Sequence, residues 1–292
     1  MKDCKDILVT GGAGFIGTNL IKRLLKDGHN VVSIDNYSTG NEENEQEGCT
    51  YHNVDIRDAV DFDFFMENPD VIYHLAALPR IQPSFEFPAL TMEIGMLGTM
   101  NILEWARNKE CKVIYAGSSS VHSGHYSNPY TFSKVMGDEL CMAYKQMFGV
   151  DTKICRFYNV YGPHQLTEGE YCTVIGVFER QYANTELLTI TGDGFQRRDF
   201  THIDDIVNGL ILTSQSEEFD LDIVELGRGE NHSINELAEM FSTEMYPYPT
   251  RYIAERPGEA RETLCDISVA KKDIGYEPKV NLKDYIEEVI SE

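Results

Sequence analysis

Positive charge is what this sequence has least of. Against 48 Asp and Glu, its 292 residues carry 25 Lys and Arg, a formal net charge of −23. Such a surface repels nucleic acid and anionic lipid, so neither is expected as a partner. It also means that any anionic ligand must be held by local Arg or Lys. Long apolar runs are missing as well. No stretch approaches the roughly 20 residues that span a bilayer, so no membrane partner is expected. The opening Met1-Lys2-Asp3-Cys4-Lys5-Asp6 lacks the apolar core of a secretory leader, and a cytoplasmic location is expected. The seven cysteines (4, 49, 111, 141, 155, 172, 265) include no Cys-x-x-Cys. Reduced thiols fit that odd, scattered set better than disulfides. His122-x-x-His125 has no Cys or carboxylate at ligand spacing, and no metal is expected. Repeats and low-complexity segments are absent too.

What is present is a 42% hydrophobic content, ample for one large domain or two intimate ones. The most informative stretch is Asp6-Ile-Leu-Val-Thr-Gly11-Gly-Ala-Gly14-Phe15-Ile16-Gly17. A short apolar strand breaks into glycines, and an amphipathic helix follows (Leu20, Ile21, Leu24, Leu25). Strand, glycine turn and helix start form a phosphate cradle: bare backbone can approach a pyrophosphate, and the helix offers unpaired N–H donors. A second strand, Val31 to Ile34, ends at Asp35, the spacing at which an acid binds adenosine ribose hydroxyls. An acid there favours NAD, because it would repel a 2′-phosphate. An ordinary turn beside a surface Asp is the bland alternative.

Further strands are expected near Thr50–Val54, Val71–Leu75, Val113–Gly117 and Thr152–Phe157. The fourth ends in Ala76-Ala77, small residues that leave room for a ligand or simply pack tightly. Helices are expected after Pro88 (Ile94, Leu97, Met100 and Leu103 on one face) and from Asn128-Pro129 to about Phe148. Alternation of strand and helix over some 160 residues predicts an α/β fold with a Rossmann-type doubly wound parallel sheet. The second half is less regular and reads as a smaller, discontinuous α/β substrate-binding domain. The expected division is 1–165 for the NAD-binding part, with a return segment about 199–222, and 166–198 plus 223–292 for the substrate-binding part.

Tyr130 and Lys134 stand at i and i+4, on one face of the second helix. A free phenol titrates near about 10 and is a poor base at neutral pH. Bringing it near neutrality requires roughly 4 kcal/mol of preferential phenolate stabilisation. A Lys one turn away and a cationic nicotinamide ring would supply it. Ser118, at the end of the fifth strand, is placed to relay the proton or orient a substrate. His74 reads as packed rather than catalytic, and Arg156 as a structural ion-pair partner.

With Thr10-Gly-Gly-Ala-Gly-Phe-Ile-Gly17, His74-Leu-Ala-Ala77, Ser118-Ser-Ser120, Tyr130-x-x-x-Lys134, Arg156-Phe-Tyr-Asn159, Gly192 to Asp199 and Arg256 to Glu259 in place, the chain resembles the extended short-chain dehydrogenase/reductase family. More closely, it resembles the NAD-dependent nucleotide-sugar epimerases and dehydratases. That resemblance implies that Gly11, Gly14 and Gly17, with Phe15 and Ile16, meet the pyrophosphate. It places Asp35 and Asn36 at the adenosine ribose, Asp55 and Ile56 at the adenine, and Leu75, Ala76 and Ala77 along the cofactor path. It makes Tyr130 the base, with Lys134 holding the nicotinamide ribose and lowering the Tyr pKa. Ser118 would contact the reacting hydroxyl, while Asn159, Arg198, Arg256 and Glu259 hold the nucleotide diphosphate end. The implied reaction is inversion at C4 of a UDP-hexose through a transient 4-keto sugar, in a homodimer.

Dehydratases of the family usually carry Asp-Glu, and decarboxylases a Glu at the second position, where this chain has Ser119 and Ser120. That favours the epimerase over a dehydratase, decarboxylase or reductase. A non-catalytic NAD-binding regulatory protein is the reading from another class. Gly95 replaces a usual Asn, Pro79 and Gly176 are atypical, and the 121–130 loop is short. Thr263 lies near a position that, by the resemblance, sets room for an N-acetyl group.

Overall fold

The computed structural model describes residues 4–58, 61–216, 222–242 and 247–291. The first half runs β1 (Asp6–Thr10), α1 (Phe15–Lys26), β2 (Asn30–Asp35), β3 (Cys49–Asn53), β4 (Val71–His74), α2 (Ile81–Glu86), α3 (Pro88–Met92), α4 (Thr99–Ala106), β5 (Lys112–Ser118), α5 (Pro129–Phe148) and β6 (Asp151–Phe157). Then come β7 (Asn159–Tyr161), α6 (Val174–Ala183), β8 (Leu188–Thr191), β9 (Arg197–Arg198), β10 (Phe200–His202), α7 (Ile203–Gln215) and β11 (Ile223–Leu226). The chain closes with β12 (His232–Ser233), α8 (Ile234–Met240), β13 (Thr250–Ile253), α9 (Ser268–Ile274) and α10 (Leu282–Ser291).

Seven parallel strands form the main sheet in the order β11-β6-β5-β4-β1-β2-β3. Its strands read as apolar runs because both faces are covered. Ile7 and Val9 join one core with Leu20, Ile21 and Leu24 of α1 and Ile206 and Leu210 of α7. Leu8, between them, points into the other, with Ile102 and Leu103 of α4 and Cys141 of α5. Each such buried Leu or Ile contributes about 1.5–3 kcal/mol. The order reverses between β1 and β4, the switch point beyond whose carboxyl ends a crevice opens.

Two expectations need correction. Residues 223–226 do not fall with the substrate-binding part: β11 pairs with β6 as the seventh strand, and Ala270, Ile274 and Tyr276 pack in the same core. The sequence hid this because β11 is short and follows a crossover outside the motifs. The helix expected after Pro88 is also interrupted. Glu93–Gly98 forms a π-helical turn between α3 and α4, as is frequent at functional sites. A Cβ at Gly95 would lie 2.8 Å from Ser133 Cβ, and one at Gly98 would lie 2.4 Å from Ile56 Cδ1. Close approach to α5 therefore explains the glycine at position 95. Gly176 is explained likewise, since its Cβ would meet the Leu166 carbonyl at 2.4 Å.

A third core (Ile175, Phe178, Leu188, Ile190, Leu237, Phe241, Ile286) joins α6, β8, α8 and α10, beside the parallel pair β8–β13. Helix α5 shows why its boundaries were readable. Asn128 Oδ1 accepts from Thr131 N at 2.8 Å, Pro129 opens the first turn, and Gly149 closes the last in a left-handed conformation.

Candidate active site

A cleft of about 470 Å³ runs along the carboxyl ends of the main sheet and under the 166–173 and 253–263 loops. At one end, the turn after β1 presses against β4. Gly11 has φ +75°, and a Cβ there would come 2.8 Å from Ala76 N. A Cβ at Gly17 would come 2.2 Å from Gly11 O. Gly14 is the N-cap of α1, with no side-chain cap. The turn therefore presents bare backbone and the open N–H groups of α1 to the cleft. Asp35 ends β2 just above. Its Oδ2 accepts from Ala13 N at 2.9 Å and its Oδ1 from Tyr37 N at 2.8 Å. Burial raises its pKa, and those backbone donors counter the rise. Asn36 Nδ2 donates to Asp55 Oδ2 at 3.0 Å. Arg57 grips the same carboxylate at 2.7 Å and holds its pKa down to about 2. Bare glycine backbone, a helix start and a terminal acid are what a dinucleotide requires, and these residues fit one.

Mid-cleft, β5 delivers Ser118 and the first turn of α5 delivers Tyr130. Ser118 Oγ donates to Ser120 Oγ at 3.0 Å and accepts from Ser120 N at 3.2 Å. Tyr130 N donates to Ser84 Oγ of α2 at 3.1 Å, fixing the start of α5 against that helix. Lys134 Nζ donates to the Ala116 carbonyl at 2.7 Å, and burial lowers its pKa to about 8. One expectation shifts here. Burial raises the Tyr130 pKa, and the groups that counter it are the Ser118 hydroxyl and the Arg80 guanidinium, with Lys134 engaged on the β5 backbone. Arg156 of β6 bridges Asp138, one turn beyond Lys134, at 2.8 Å and Glu225 at 3.2 Å, the structural role expected of it. Glu225 also meets His122 Nε2 at 2.9 Å. His74 is packed: its ring lies between Thr10 Oγ1 at 2.8 Å and Thr99 Oγ1 at 3.0 Å, and burial lowers its pKa to about 3.

At the far end, Asn159 Nδ2 donates to Asp199 O at 3.1 Å and to Thr263 Oγ1 at 3.2 Å. Arg198 Nη2 lies 3.5 Å from Glu259, and Nη1 donates to Arg197 O at 2.9 Å. Arg256 is exposed at the rim. Every residue nominated from sequence lines this one cleft, from Gly11 to Glu259. The sequence reading passed over Arg80, Tyr171, Cys172, Thr191 and Gln196, which line it too. Arg80 carried a signal, a cation three residues past Ala77; the others are placed by loops without pattern.

The described helices include none long and apolar enough to cross a membrane. Residues 7–227 match the NAD dependent epimerase/dehydratase family. The chain belongs to that family. A Methanocaldococcus jannaschii protein assigned as a UDP-glucose 4-epimerase is 33% identical over 301 residues, covering 98% of this chain and 97% of its own. Among solved structures, the Thermotoga maritima UDP-glucose 4-epimerase with UDP-glucose superposes with a TM-score of 0.89 at 26% identity, covering 98% of this chain and 97% of that one. A variant of the Bacillus cereus UDP-glucuronic acid 4-epimerase, with UDP-4-deoxy-4-fluoro-glucuronic acid and NAD, gives 0.89 at 29%, covering 98% of each. Family membership identifies the dinucleotide that the glycine turn and Asp35 fit as NAD.

Proposed function

We propose that this protein is an NAD-dependent 4-epimerase of a UDP-sugar, regenerating its cofactor at each turnover. The carrying observation is mid-cleft: Tyr130 and Ser118 face one another beside buried Lys134, and the positions after Ser118 are hydroxyls, not carboxylates. The two solved structures named above support the same reading, since both are of 4-epimerases of UDP-sugars.

When bound, NAD supplies reversible hydride acceptance at a sugar carbon. Tyr130 Oη takes the proton of the C4 hydroxyl and later returns it to the same oxygen once the carbon has been inverted. Ser118 Oγ donates to or accepts from that oxygen, positioned by its bond to Ser120. Lys134 holds the nicotinamide ribose and keeps a cation in the wall behind Tyr130. Gly11, Gly14, Phe15, Ile16 and Gly17 hold the pyrophosphate, Asp35 and Asn36 the adenosine ribose, Asp55 and Ile56 the adenine. Leu75, Ala76 and Ala77 exclude water from the cofactor path. Asn159, Arg198, Arg256 and Glu259 hold the nucleotide diphosphate end, with Arg198 and Arg256 answering its charge against the acidic surface. Ser119 and Ser120 offer no acid or base to expel the C6 hydroxyl, which argues against dehydration.

The protein acts in the cytoplasm as a homodimer in this reading. Leu97 and Met100 (40% and 39% exposed) and Met147 and Phe148 (64% and 45%) form apolar surface on the π turn, α4 and α5. Proton NMR with UDP-glucose, UDP-galactose, their N-acetyl forms and UDP-glucuronate, without reductant, tests the activity. A second anomeric signal growing to equilibrium with no net NADH is expected. A 4-keto-6-deoxy product, or carbon dioxide release, would replace the epimerase reading.

A further inference from the structure

Arg80 lines this cleft and tempers the raised Tyr130 pKa, and its guanidinium has a further edge that no described residue of the chain takes up. Its backbone has φ +89° and ψ +142°, a conformation that favours glycine. Strain of that kind persists where the surroundings over-determine it, and it clusters at ligand-binding sites. The side chain lines the cleft, and burial lowers its pKa. Its Nε donates to the Tyr171 carbonyl at 2.9 Å. That bond orients the planar fork, yet neither Nη has a hydrogen-bond or ion-pair partner among the described residues. Glu259, the carboxylate within its electrostatic reach, is engaged by Arg198 at 3.5 Å. A half-buried guanidinium whose Nη edge opens on the cleft is preorganised to take an anion in two charge-assisted hydrogen bonds.

Its position narrows that anion. Arg80 immediately precedes α2. Two residues on, Gln82 Nε2 donates to Pro257 O at 2.9 Å; four residues on, Ser84 Oγ accepts from Tyr130 N at 3.1 Å. The residue therefore sits where α2 joins the Tyr130 end of α5 to the Arg256–Glu259 loop, between the reacting hydroxyl and the diphosphate end. A sugar ring occupies that interval if the proposed function holds. The diphosphate already has Arg198 and Arg256. The ionisable group a hexose ring can carry next to C4–C5 is a C6 carboxylate, and a guanidinium fork matches a carboxylate in two parallel bonds.

We propose that the free Nη edge of Arg80 is a carboxylate subsite, making Arg80 a specificity-determining residue and a UDP-hexuronate the preferred substrate class. The inference rests on the nucleotide-sugar reading and adds to it the charge of the sugar.

The test is binding rather than turnover. Calorimetry on the NAD-loaded enzyme compares UDP-glucuronate, UDP-glucose and UDP, for wild type, Arg80→Gln and Arg80→Gly. UDP-glucuronate is expected to bind wild type more tightly than UDP-glucose. Both variants should weaken UDP-glucuronate by about 10- to 100-fold and change UDP-glucose and UDP by less than about threefold. Arg80→Gly relieves the backbone strain, so it should melt no lower than wild type while losing the same discrimination. Equal weakening of all three ligands would place the Nη edge on the diphosphate and overturn the carboxylate subsite, as would no change for any. A wild type that discriminates among the ligands but epimerises none would defeat the proposed function and leave the subsite standing.

Discussion

Alanine at Gly11 would put a methyl group 2.8 Å from Ala76 N and 2.9 Å from Ala76 Cα, both backbone atoms with no rotamer to yield. Two costs follow. An L side chain at φ +75° costs about 1–2 kcal/mol. Forcing the overlap costs about 1–3 kcal/mol more, as overpacking does. The structure supplies a control. Gly149 caps α5 at φ +73°, with nothing within 4 Å of a built Cβ, so Gly149→Ala carries the first cost alone. Urea denaturation should show a loss of roughly 2–5 kcal/mol for Gly11→Ala against roughly 1–2 kcal/mol for Gly149→Ala. Relief of the clash has to displace Leu75–Ala77, the wall of the dinucleotide end. NAD affinity, read by fluorescence titration, should therefore fall in Gly11→Ala and hold in Gly149→Ala. Equal destabilisation would refute the close approach of the turn to β4. Unchanged NAD affinity in Gly11→Ala would refute the turn as the pyrophosphate cradle.

Tyr130→Phe should lower kcat by about 10²- to 10⁴-fold, the worth of a positioned acid–base group, with UDP-sugar affinity nearly intact; steady-state kinetics and calorimetry separate the two. Lys134 is buried with its pKa lowered from 10.5 to about 8, a displacement worth roughly 3 kcal/mol. Between those values the unfolded chain binds the proton more strongly, so this contribution is fully present above 10.5 and is lost as pH falls through about 8. Thermal melts of cofactor-free Lys134→Met should exceed wild type at pH 7 and converge with it as pH rises past 8; a constant gap would refute the burial argument. Asp138→Ala leaves Arg156 with Glu225 as its remaining carboxylate and should cost about 1–3 kcal/mol in chemical denaturation. Sedimentation of the Leu97→Asp/Met100→Glu variant should give a monomer where wild type gives a dimer.

The first half of the fold was legible because each element carried local punctuation. Gly11 broke β1, Asp35 ended β2, and Asn128-Pro129 opened α5. The site followed, since glycine spacing, Tyr130, Lys134 and Ser118 are tied to those same ends. What lay beyond reach came from tertiary contacts. β11 is short, and only its pairing with β6 assigns it to the main sheet. The π turn at Glu93–Gly98 preserves an apolar pattern that reads as continuous helix; Gly95 and Gly98 are set by neighbours from α5 and from Ile56. Arg80 stood next to a recognised motif, but its orientation depends on the Tyr171 carbonyl, 91 residues away.

The central claim is that one hydrogen leaves C4 and returns to C4 while Tyr130 handles the hydroxyl proton. The most direct measurement is proton NMR of the enzyme with the UDP-sugar it epimerises, deuterated at C4, in ordinary water. The account predicts inverted product that keeps the deuterium at C4, with none lost to solvent. Product carrying protium at C4 would mean exchange with water during inversion, and would contradict it.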